Sequence, residues 1–563
     1  MTDRAAQQCH LPPRGFRGTY RADPDARAVY SEAAGIGRIV PAAVAVPVDA
    51  DDVVTLVRWA NERSLSLVPR GSGTSMAGGA IGPGVIVDLS RMNEIGEIDI
   101  ERRTVRVGPG ALRGDVNDRA GSRGLRFPVD PSSGRYCTIG GMVSTNAAGA
   151  RTLRFGPTRD WIESLDCVFE DGSRAIIPRG KALKLLHSAE SHQHIPAIQR
   201  FETLTRERFS SATLKTISHD GVRKDSSGYG LAAYAATGDL VDVIAGSEGT
   251  LAIIVGVELR LTEAAVATAG VLASFSTLDD AVLAATKARD AGAVACELLD
   301  RTFLEVASTG SSEIDALSEV PLETEAVLLA EVEGESIEHA RRLATELADI
   351  FATAGATNAR IAAGHSEQHE IWELRHAASP ILARLDPRLK SMQFIEDSAV
   401  PSTLLADYVR GVREALNRRG VRGVIFGHAG DAHIHVNPLI DVGKTRWRED
   451  VSGLLEDIVT LTSRLKGTLA GEHGDGRLRA PLLPRVWSDD AVDLFRAVKN
   501  AFDPRGILNP GVKVARAGQQ AIGDIKYDPM LAPLPENSRA VLDRVSGEKA
   551  YASSRLALLD EQV

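Results

Sequence analysis

Two imidazoles seven residues apart, His428 and His435, lie in the run Gly427-His428-Ala429-Gly430-Asp431-Ala432-His433-Ile434-His435-Val436-Asn437. A carboxylate follows in Gly471-Glu472-His473-Gly474-Asp475-Gly476. Imidazole nitrogen and carboxylate oxygen are ligands for a divalent ion such as zinc, so His428, His435 and Glu472 form the candidate metal set. Side chains alternate along a strand, which puts His433, His435 and Asn437 on one face, with His428 reaching them across the Gly430-Asp431 bend. Glu472 and His473 would point opposite ways on a strand, but the flanking glycines permit a loop in which both reach one site. His473 is the candidate general base.

Much earlier, Pro69-Arg70-Gly71-Ser72-Gly73-Thr74-Ser75-Met76-Ala77-Gly78-Gly79-Ala80 reads as an anion cradle. Backbone amides without obstructing β-carbons solvate a pyrophosphate, and Arg70 and Ser75 are further donors. A second stretch of small and hydroxyl residues runs from Asp130-Pro131-Ser132-Ser133-Gly134 through Thr138-Ile139-Gly140-Gly141-Met142-Val143-Ser144-Thr145-Asn146-Ala147-Ala148-Gly149-Ala150. Such a segment packs poorly by itself and makes sense where amides wrap an extended, flat, charged ligand. Arg375, in Trp372-Glu373-Leu374-Arg375-His376, is a candidate carboxylate clamp because a guanidinium donates in pairs. Arg154 and Lys224 have a weaker claim, on the glycine and serine around them alone.

The elements that must position these groups are legible as patterns. An apolar strand from Val44, a helix starting at Asp49 with Val53, Val54, Leu56, Val57 and Ala60 at helical spacing, and a strand from Leu65 to Pro69 lead into the glycine loop. This α/β unit lacks the G-x-G-x-x-G entry to a helix, which argues against a nicotinamide-binding Rossmann turn. Short strands follow at Val85–Leu89 and Thr104–Val107, and Asp171-Gly172 marks a hairpin between Leu165–Glu170 and Ala175–Ile177. A strand from Leu251 to Leu261 closes the first domain. A second composition begins near Val271, with strands at Val271–Phe275, Ala295–Leu299 and Val327–Val332 and helices over Leu278–Ala291, Ile337–Ala354 and Leu404–Leu416. This alternation predicts helices packed on one face of an antiparallel sheet that includes a histidine strand from Val424 to Pro438. The expected class is α+β. The expected units are an N-terminal extension (1–35), a cofactor domain (36–263) with an insertion at about 181–218, a cap domain (264–480), a returning segment (481–513) and a tail with no evident core (514–563).

At 563 residues and 60.0 kDa the chain should hold more than one core. Its 44% hydrophobic and 25% charged residues are those of an ordinary soluble protein, without a spanning apolar run or a secretory signal. A cytoplasmic location is expected, with peripheral attachment to the inner face of the membrane as a variant. A net charge of −10 without a basic stripe argues against nucleic-acid binding. Cys9, Cys137, Cys167 and Cys296 are scattered, so neither a disulfide framework nor an iron-sulfur cluster is indicated in this chain.

As an ordered set, the glycine loop, the 140–149 segment, Arg223-Lys224-Asp225-Ser226-Ser227-Gly228-Tyr229, Gly246-Ser247-Glu248-Gly249-Thr250-Leu251, the histidine run, Gly471 to Gly476 and Leu508-Asn509-Pro510-Gly511 resemble the flavin-dependent D-2-hydroxyacid dehydrogenases. These are a branch of the vanillyl-alcohol oxidase-like flavoproteins, and the resemblance runs from about Phe16 to Lys513. It implies FAD in a domain of two α/β subdomains, with Pro69, Arg70, Gly71, Ser72, Gly73, Thr74 and Ser75 at the pyrophosphate. Ser132, Thr138, Gly141, Ser144, Asn146, Gly149, Ile253 and Asn509 would be further FAD contacts. Thr74 stands where some relatives carry a flavin-linked histidine, which implies non-covalent FAD. By the same resemblance His428, His435 and Glu472 bind zinc or a similar ion, and Arg375, Ser379, Asn437 and His473 contact a small 2-hydroxy acid such as D-lactate or D-2-hydroxyglutarate. A lysine that holds substrate in some relatives falls on Ile395, which weighs against a long dicarboxylate. The implied electron acceptor is a quinone, a cytochrome or an electron-transfer protein. Long relatives continue into an iron-sulfur module, so a separate iron-sulfur subunit is an expected partner, and a homodimer is compatible with the sequence.

Overall fold

The computed structural model describes residues 11–180, 195–209, 216–308, 317, 320–376, 388–548 and 552–560. Ser379 and most of the 181–218 insertion lie outside them.

Three large sheets organise the described residues. In the first, Thr19–Arg21, Ala43–Val46, Val85–Asp88 and Leu67–Arg70 lie side by side in that order, the last three parallel. Helix Ala50–Arg63 forms because Asp49 caps it, accepting from the amides of Asp51 and Asp52, and because Ser64 takes the left-handed conformation that stops it. Its Val53, Leu56, Val57 and Ala60 pack against Ala43, Ala45, Leu67, Val85 and Val87. The second sheet is antiparallel, in the order Ile95–Asp99, Thr104–Val107, Ile253–Arg260, Ile162–Val168, Arg174–Pro178. Helix Asp489–Phe502 returns to cover it, burying Leu494, Phe495, Val498 and Phe502 in the same core as Leu165, Cys167 and Val257.

The tail at 514–563, expected to lack a core, is a correction. Helices Glu536–Glu548 and Ser553–Asp560 bury Val541, Leu542, Val545, Leu558 and Leu559 against Ala26, Val29, Tyr30, Val44, Val46, Val68 and Ile86. The reason is the parallel sheet, both of whose faces are apolar: helix 50–63 covers one, and the two chain ends cover the other.

The third sheet runs Ala356–Ala362, Ala267–Phe275, Ala326–Gly334, Ala295–Asp300, Arg422–His428, His433–Asp441, Leu389–Ser391, antiparallel throughout, with Ser398–Ala399 also paired to His433–Asp441. Its two faces differ. Val271, Leu298, Leu328, Ile425, Ile434 and Val436 point to one, under helices Leu278–Asp290, Ile337–Thr353, Leu405–Arg418 and Trp447–Arg464. Leu272, Leu299, Leu329, Val424 and Leu439 point to the other, which the shorter helices Arg301–Ala307 and His365–His376 cover in part. Period-2 alternation puts Glu297, Glu331, His428, His433 and His435 on this second face.

The histidine strand is a correction as well. Val424 to Pro438 is two strands joined by a turn at Ala429–Asp431, with Ala432 left-handed at φ 54°. The reversal pairs His428 with His433 and Phe426 with His435, so the imidazoles come together across a hairpin rather than along one strand.

Candidate functional site

His428 Nε2, His435 Nε2 and Glu472 Oε1 form a nearly equilateral triangle, with edges of 3.3 Å (His428–Glu472), 3.4 Å (His435–Glu472) and 3.4 Å (His428–His435). Ligand bonds of about 2.0–2.1 Å at tetrahedral angles put ligand atoms about 3.3–3.4 Å apart, so the residues fit a divalent ion of zinc type. The outer partners fix the ligating lone pairs. His428 Nδ1 donates to Glu297 Oε1 at 2.6 Å, and His435 Nδ1 donates to the Glu396 carbonyl at 2.7 Å, which turns both Nε2 atoms inward. All three candidate residues are buried.

Glu297 stands opposite His428 because Leu298 pairs with Gly427 in the neighbouring strand. Its second oxygen accepts from Arg375 Nε at 2.7 Å, and the Arg375 guanidinium lies over Phe426, 4.6 Å from the ring centre. Arg375 is thus tied to the metal set through one carboxylate, and its terminal nitrogens have no partner among the described residues. Asn437 follows His435 on the same face and is buried.

The Glu472-His473 loop is held by Asp397, which accepts from the amides of Glu472 (3.2 Å) and His473 (2.9 Å) and from His433 Nε2 (2.9 Å). A Cβ on Gly471 would meet the His433 ring at 2.5 Å, so only glycine lets the loop approach the hairpin this closely. His473 stacks on His435, with its Nδ1 3.2 Å from Glu396 Oε1 and its Nε2 3.8 Å from Glu472 Oε1. Arg479 pairs with Glu396 and, at 3.3 Å, with Asp397. His433 joins the ligand cluster, its unpartnered Nδ1 3.9 Å from Glu472 Oε2.

Burial and charge set the protonation. Burial pushes His435 down and His433 down to about 3, the neutral form a ligand needs. Burial also opposes charge on His428 and His473, yet Glu297 lifts the first to about 9 and Asp397 with Glu396 lifts the second to about 9. A cation beside Glu472 would bring both back down. Glu472 is held well below the carboxylate range despite burial, first by Lys224 and then by His428.

Lys224 is the link to the first domain. Its buried ammonium donates to the Gly149 carbonyl at 2.8 Å and to Glu472 Oε2 at 3.0 Å. Arg151 makes a parallel tie, pairing with Asp130 and, through two nitrogens, with Glu331 of the third sheet.

At the glycine loop, the buried hydroxyls of Ser72 and Ser75 have no partner among the described residues. The carbonyls of Gly73 and Ser75 accept from Ala34 and Gly35 on the outer side. In a trans peptide the next amide points the opposite way, so Thr74 and Met76 aim their N–H groups inward. Unpartnered hydroxyls and inward amides are what a bound diphosphate would satisfy, and the loop fits FAD in that respect. A Cβ on Gly71 would meet Thr138 Oγ1 at 2.1 Å, so the two small-residue segments touch, and Thr138 also caps helix Ile139–Thr145 by accepting from the Gly141 amide.

Other expected FAD residues serve the backbone. The Arg70 side chain turns away from the loop's inner side and donates to the carbonyls of Tyr30, Ala80 and Glu32, because burial demands acceptors and these lie within reach. Asn146 accepts from the Arg159 amide, and the Ser144 carbonyl from the Glu248 amide. Asn509 donates to the carbonyls of Gly79 and Glu248. Pro69 lies within the strand Leu67–Arg70 that leads into the loop, Ile253 begins the central strand of the second sheet, and Ser132 is exposed.

Glu297, Glu396, Asp397 and Arg479 were not singled out from sequence. The available signal was an acidic residue within an apolar strand, Ala295-Cys296-Glu297-Leu298-Leu299, and an acidic pair between apolar neighbours, Phe394-Ile395-Glu396-Asp397-Ser398-Ala399.

Comparison with known proteins matches residues 41–176 to the family described as FAD binding domain and 265–512 to FAD linked oxidases, C-terminal domain. The chain is 29% identical over 501 residues to the glycolate oxidase subunit GlcD of Bacillus subtilis, covering 88% of this chain and 94% of that one. It is 29% identical over 476 residues to a D-lactate dehydrogenase of Archaeoglobus fulgidus, covering 84% and 91%. It is 30% identical over 532 residues to a D-2-hydroxyglutarate dehydrogenase of Pantoea ananatis, covering 89% of this chain but only 50% of that longer protein. In fold it is similar to p-cresol methylhydroxylase, with a TM-score of 0.66 at 15% identity over 92% of this chain and 97% of that one.

Proposed function

Starting from the fact that this chain belongs to the FAD-linked oxidases and is an FAD-dependent oxidoreductase of the D-lactate, D-2-hydroxyglutarate and glycolate oxidase type, we propose that it is a metal-dependent dehydrogenase that converts a D-2-hydroxy acid to the 2-oxo acid. The observation that carries this reading is Lys224, which joins the Gly149 carbonyl, in the segment expected to wrap FAD, to the carboxylate of the metal triangle. A metal-bound substrate would therefore lie beside the flavin.

FAD, non-covalent with Thr74 in the loop, would supply a hydride acceptor at N5, and a zinc-like ion held by His428, His435 and Glu472 would supply Lewis acidity. The chain's own groups do the rest. Arg375, fixed by Glu297 and Phe426, offers its terminal nitrogens to the substrate carboxylate. Asn437 lies next to the ligands and contacts the substrate's oxygens, with Ser379 assigned the same task. His473 Nε2 takes the hydroxyl proton, while its Nδ1 is held by Glu396. Ile395 is buried in the hydrophobic core, so no cation stands there for a second carboxylate, which favours a short substrate such as D-lactate over D-2-hydroxyglutarate.

No helix among the described residues is long and apolar enough to cross a membrane. The reading places the enzyme in the cytoplasm, passing electrons to a quinone, a cytochrome or an electron-transfer protein, at the inner face of the membrane where a quinone is used. The test is turnover by the purified chain with a dye acceptor and each enantiomer of lactate and 2-hydroxyglutarate. Formation of the 2-oxo acid from the D enantiomer alone is expected; no turnover by protein carrying FAD and metal refutes the reading.

A second reading, a glycolate oxidase-like flavin subunit with an iron-sulfur partner, is favoured by the near-complete coverage of the Bacillus subtilis subunit. Glycolate oxidation that appears only with such a partner would select it.

A further inference from the structure

The glycine loop is held from outside by the chain's C-terminal segment. Residues 33–35, whose amides pin the loop carbonyls of Gly73 (3.0 Å) and Ser75 (3.2 Å), are themselves pinned. Lys526 donates its ammonium to the carbonyls of Ala33 (3.0 Å) and Ala34 (3.2 Å) and its amide to Ile36 (2.8 Å), while the amide of Arg38 donates to Asp524 (2.9 Å). Helix Ser553–Asp560 then sends Arg555, 2% exposed, under the loop, where Nη1 donates to the carbonyl of Ser72 at 3.0 Å.

These contacts have a directional consequence. Because C=O and N–H point opposite ways across a trans peptide, each carbonyl pulled outward aims the following amide inward. Arg555 on Ser72 aims the Gly73 amide, as Ala34 and Gly35 aim those of Thr74 and Met76. The buried Ser72 and Ser75 hydroxyls of the same loop have no partner among the described residues. Arg70 and Arg555 also place two buried guanidiniums beside a loop built for an anion. None of the segment beyond residue 512 falls within the two matched family regions.

We propose that the C-terminal segment, through its described residues 524–548 and 552–560, is a cofactor clasp in which Arg555 and Lys526 are positioning residues that keep the phosphate-loop amides aimed at the FAD diphosphate. The proposal rests on FAD occupying this loop.

The test uses the full-length holoprotein. FAD release after dilution and FAD affinity of the apoprotein are measured for wild type, Arg555→Met, Arg555→Lys and Lys526→Met, with circular dichroism and zinc content as controls. Arg555→Met is expected to weaken FAD binding by about tenfold or more, chiefly through faster release, with Arg555→Lys recovering much of the loss and zinc content unchanged. FAD affinity in folded Arg555→Met within about twofold of wild type overturns the proposal. Should Arg555→Met not fold, Lys526→Met and Arg555→Lys decide: faster FAD release from Lys526→Met supports the clasp, and wild-type release from both overturns it. Wild-type protein that binds no FAD at all overturns both this proposal and the assignment of the loop to FAD.

Discussion

Glu297→Gln changes one atom and one charge, yet it should cripple the metal site from outside it. Glu297 faces two donors, His428 Nδ1 at 2.6 Å and Arg375 Nε at 2.7 Å. A carboxylate accepts from both; an amide accepts from one and turns its own N–H toward the other. If the amide N–H meets His428, Nδ1 must become the acceptor, and the proton moves to Nε2, the atom that should ligate the metal. If it meets Arg375, two donors collide and the clamp loses its support. A hydrogen bond between charged groups is worth about 1.5–3 kcal/mol. Changes to the outer partner of a ligating histidine cost about 10–100-fold in metal affinity, or about 1.4–2.7 kcal/mol, and the two ranges agree. The assay is titration of metal-free protein with Zn²⁺ against a competing chelator, with circular dichroism and the flavin spectrum as controls. The expected result is a Kd raised by about 10–100-fold with both controls unchanged. A Kd within about twofold of wild type would refute the claim that Glu297 sets the His428 tautomer.

Other outcomes follow from the same geometry. His473→Ala should keep its FAD and slow flavin reduction by substrate about 10²-fold or more; near-normal reduction in a stopped-flow experiment would remove the base assignment. His473 accepts a proton only when neutral, and Asp397 and Glu396 raise it, so the reduction rate should climb with pH and Glu396→Gln should move the climb to lower pH; an unmoved pH profile contradicts this. Glu396 is held down to about 2 despite burial, chiefly by Arg479 and His473, so its share of stability is full above the ordinary carboxylate pKa and is lost as pH falls toward 2. Arg479→Met should therefore raise the acid-unfolding midpoint by about one pH unit, read by circular dichroism; an unchanged midpoint would show that the pair adds nothing.

What could be read from the sequence was local. The glycine loop, the hairpin at Asp171-Gly172, the third sheet's strands near 271–275, 295–299 and 327–332 and the helices near 278–291, 337–354 and 404–416 declare themselves through turn chemistry and period, which depend on neighbours in the chain, whereas strand Ala356–Ala362 and helix Trp447–Arg464 were not read. The two candidate histidines were legible for the same reason, since His428 and His435 belong to one hairpin. What supports them was not. Glu297 meets His428 across 131 residues and Lys224 meets Glu472 across 248, and the pairings exist only once strands align. The sequence marked a bend at Gly430-Asp431 but not that it reverses the chain, because Ala429-Gly430-Asp431-Ala432 sits inside a run that alternates well enough for one strand. The tail was missed because Val541, Leu542 and Val545 make a stripe too narrow to signal a core by itself; its partner is the outer face of a sheet laid down more than 450 residues earlier. Arg70 carries donors suited to phosphate, but where it points is decided by the carbonyls of residues 30 and 32 behind the loop.

The most direct test of the account is anaerobic mixing of the yellow holoprotein with D-lactate and, separately, D-2-hydroxyglutarate and glycolate, following the flavin's long-wavelength band before and after chelation of the metal. Rapid bleaching by one D-2-hydroxy acid, lost on chelation and restored by Zn²⁺, is the expected result. Bleaching that is indifferent to chelation, or no bleaching by any of the three with FAD and metal both in place, would contradict the account.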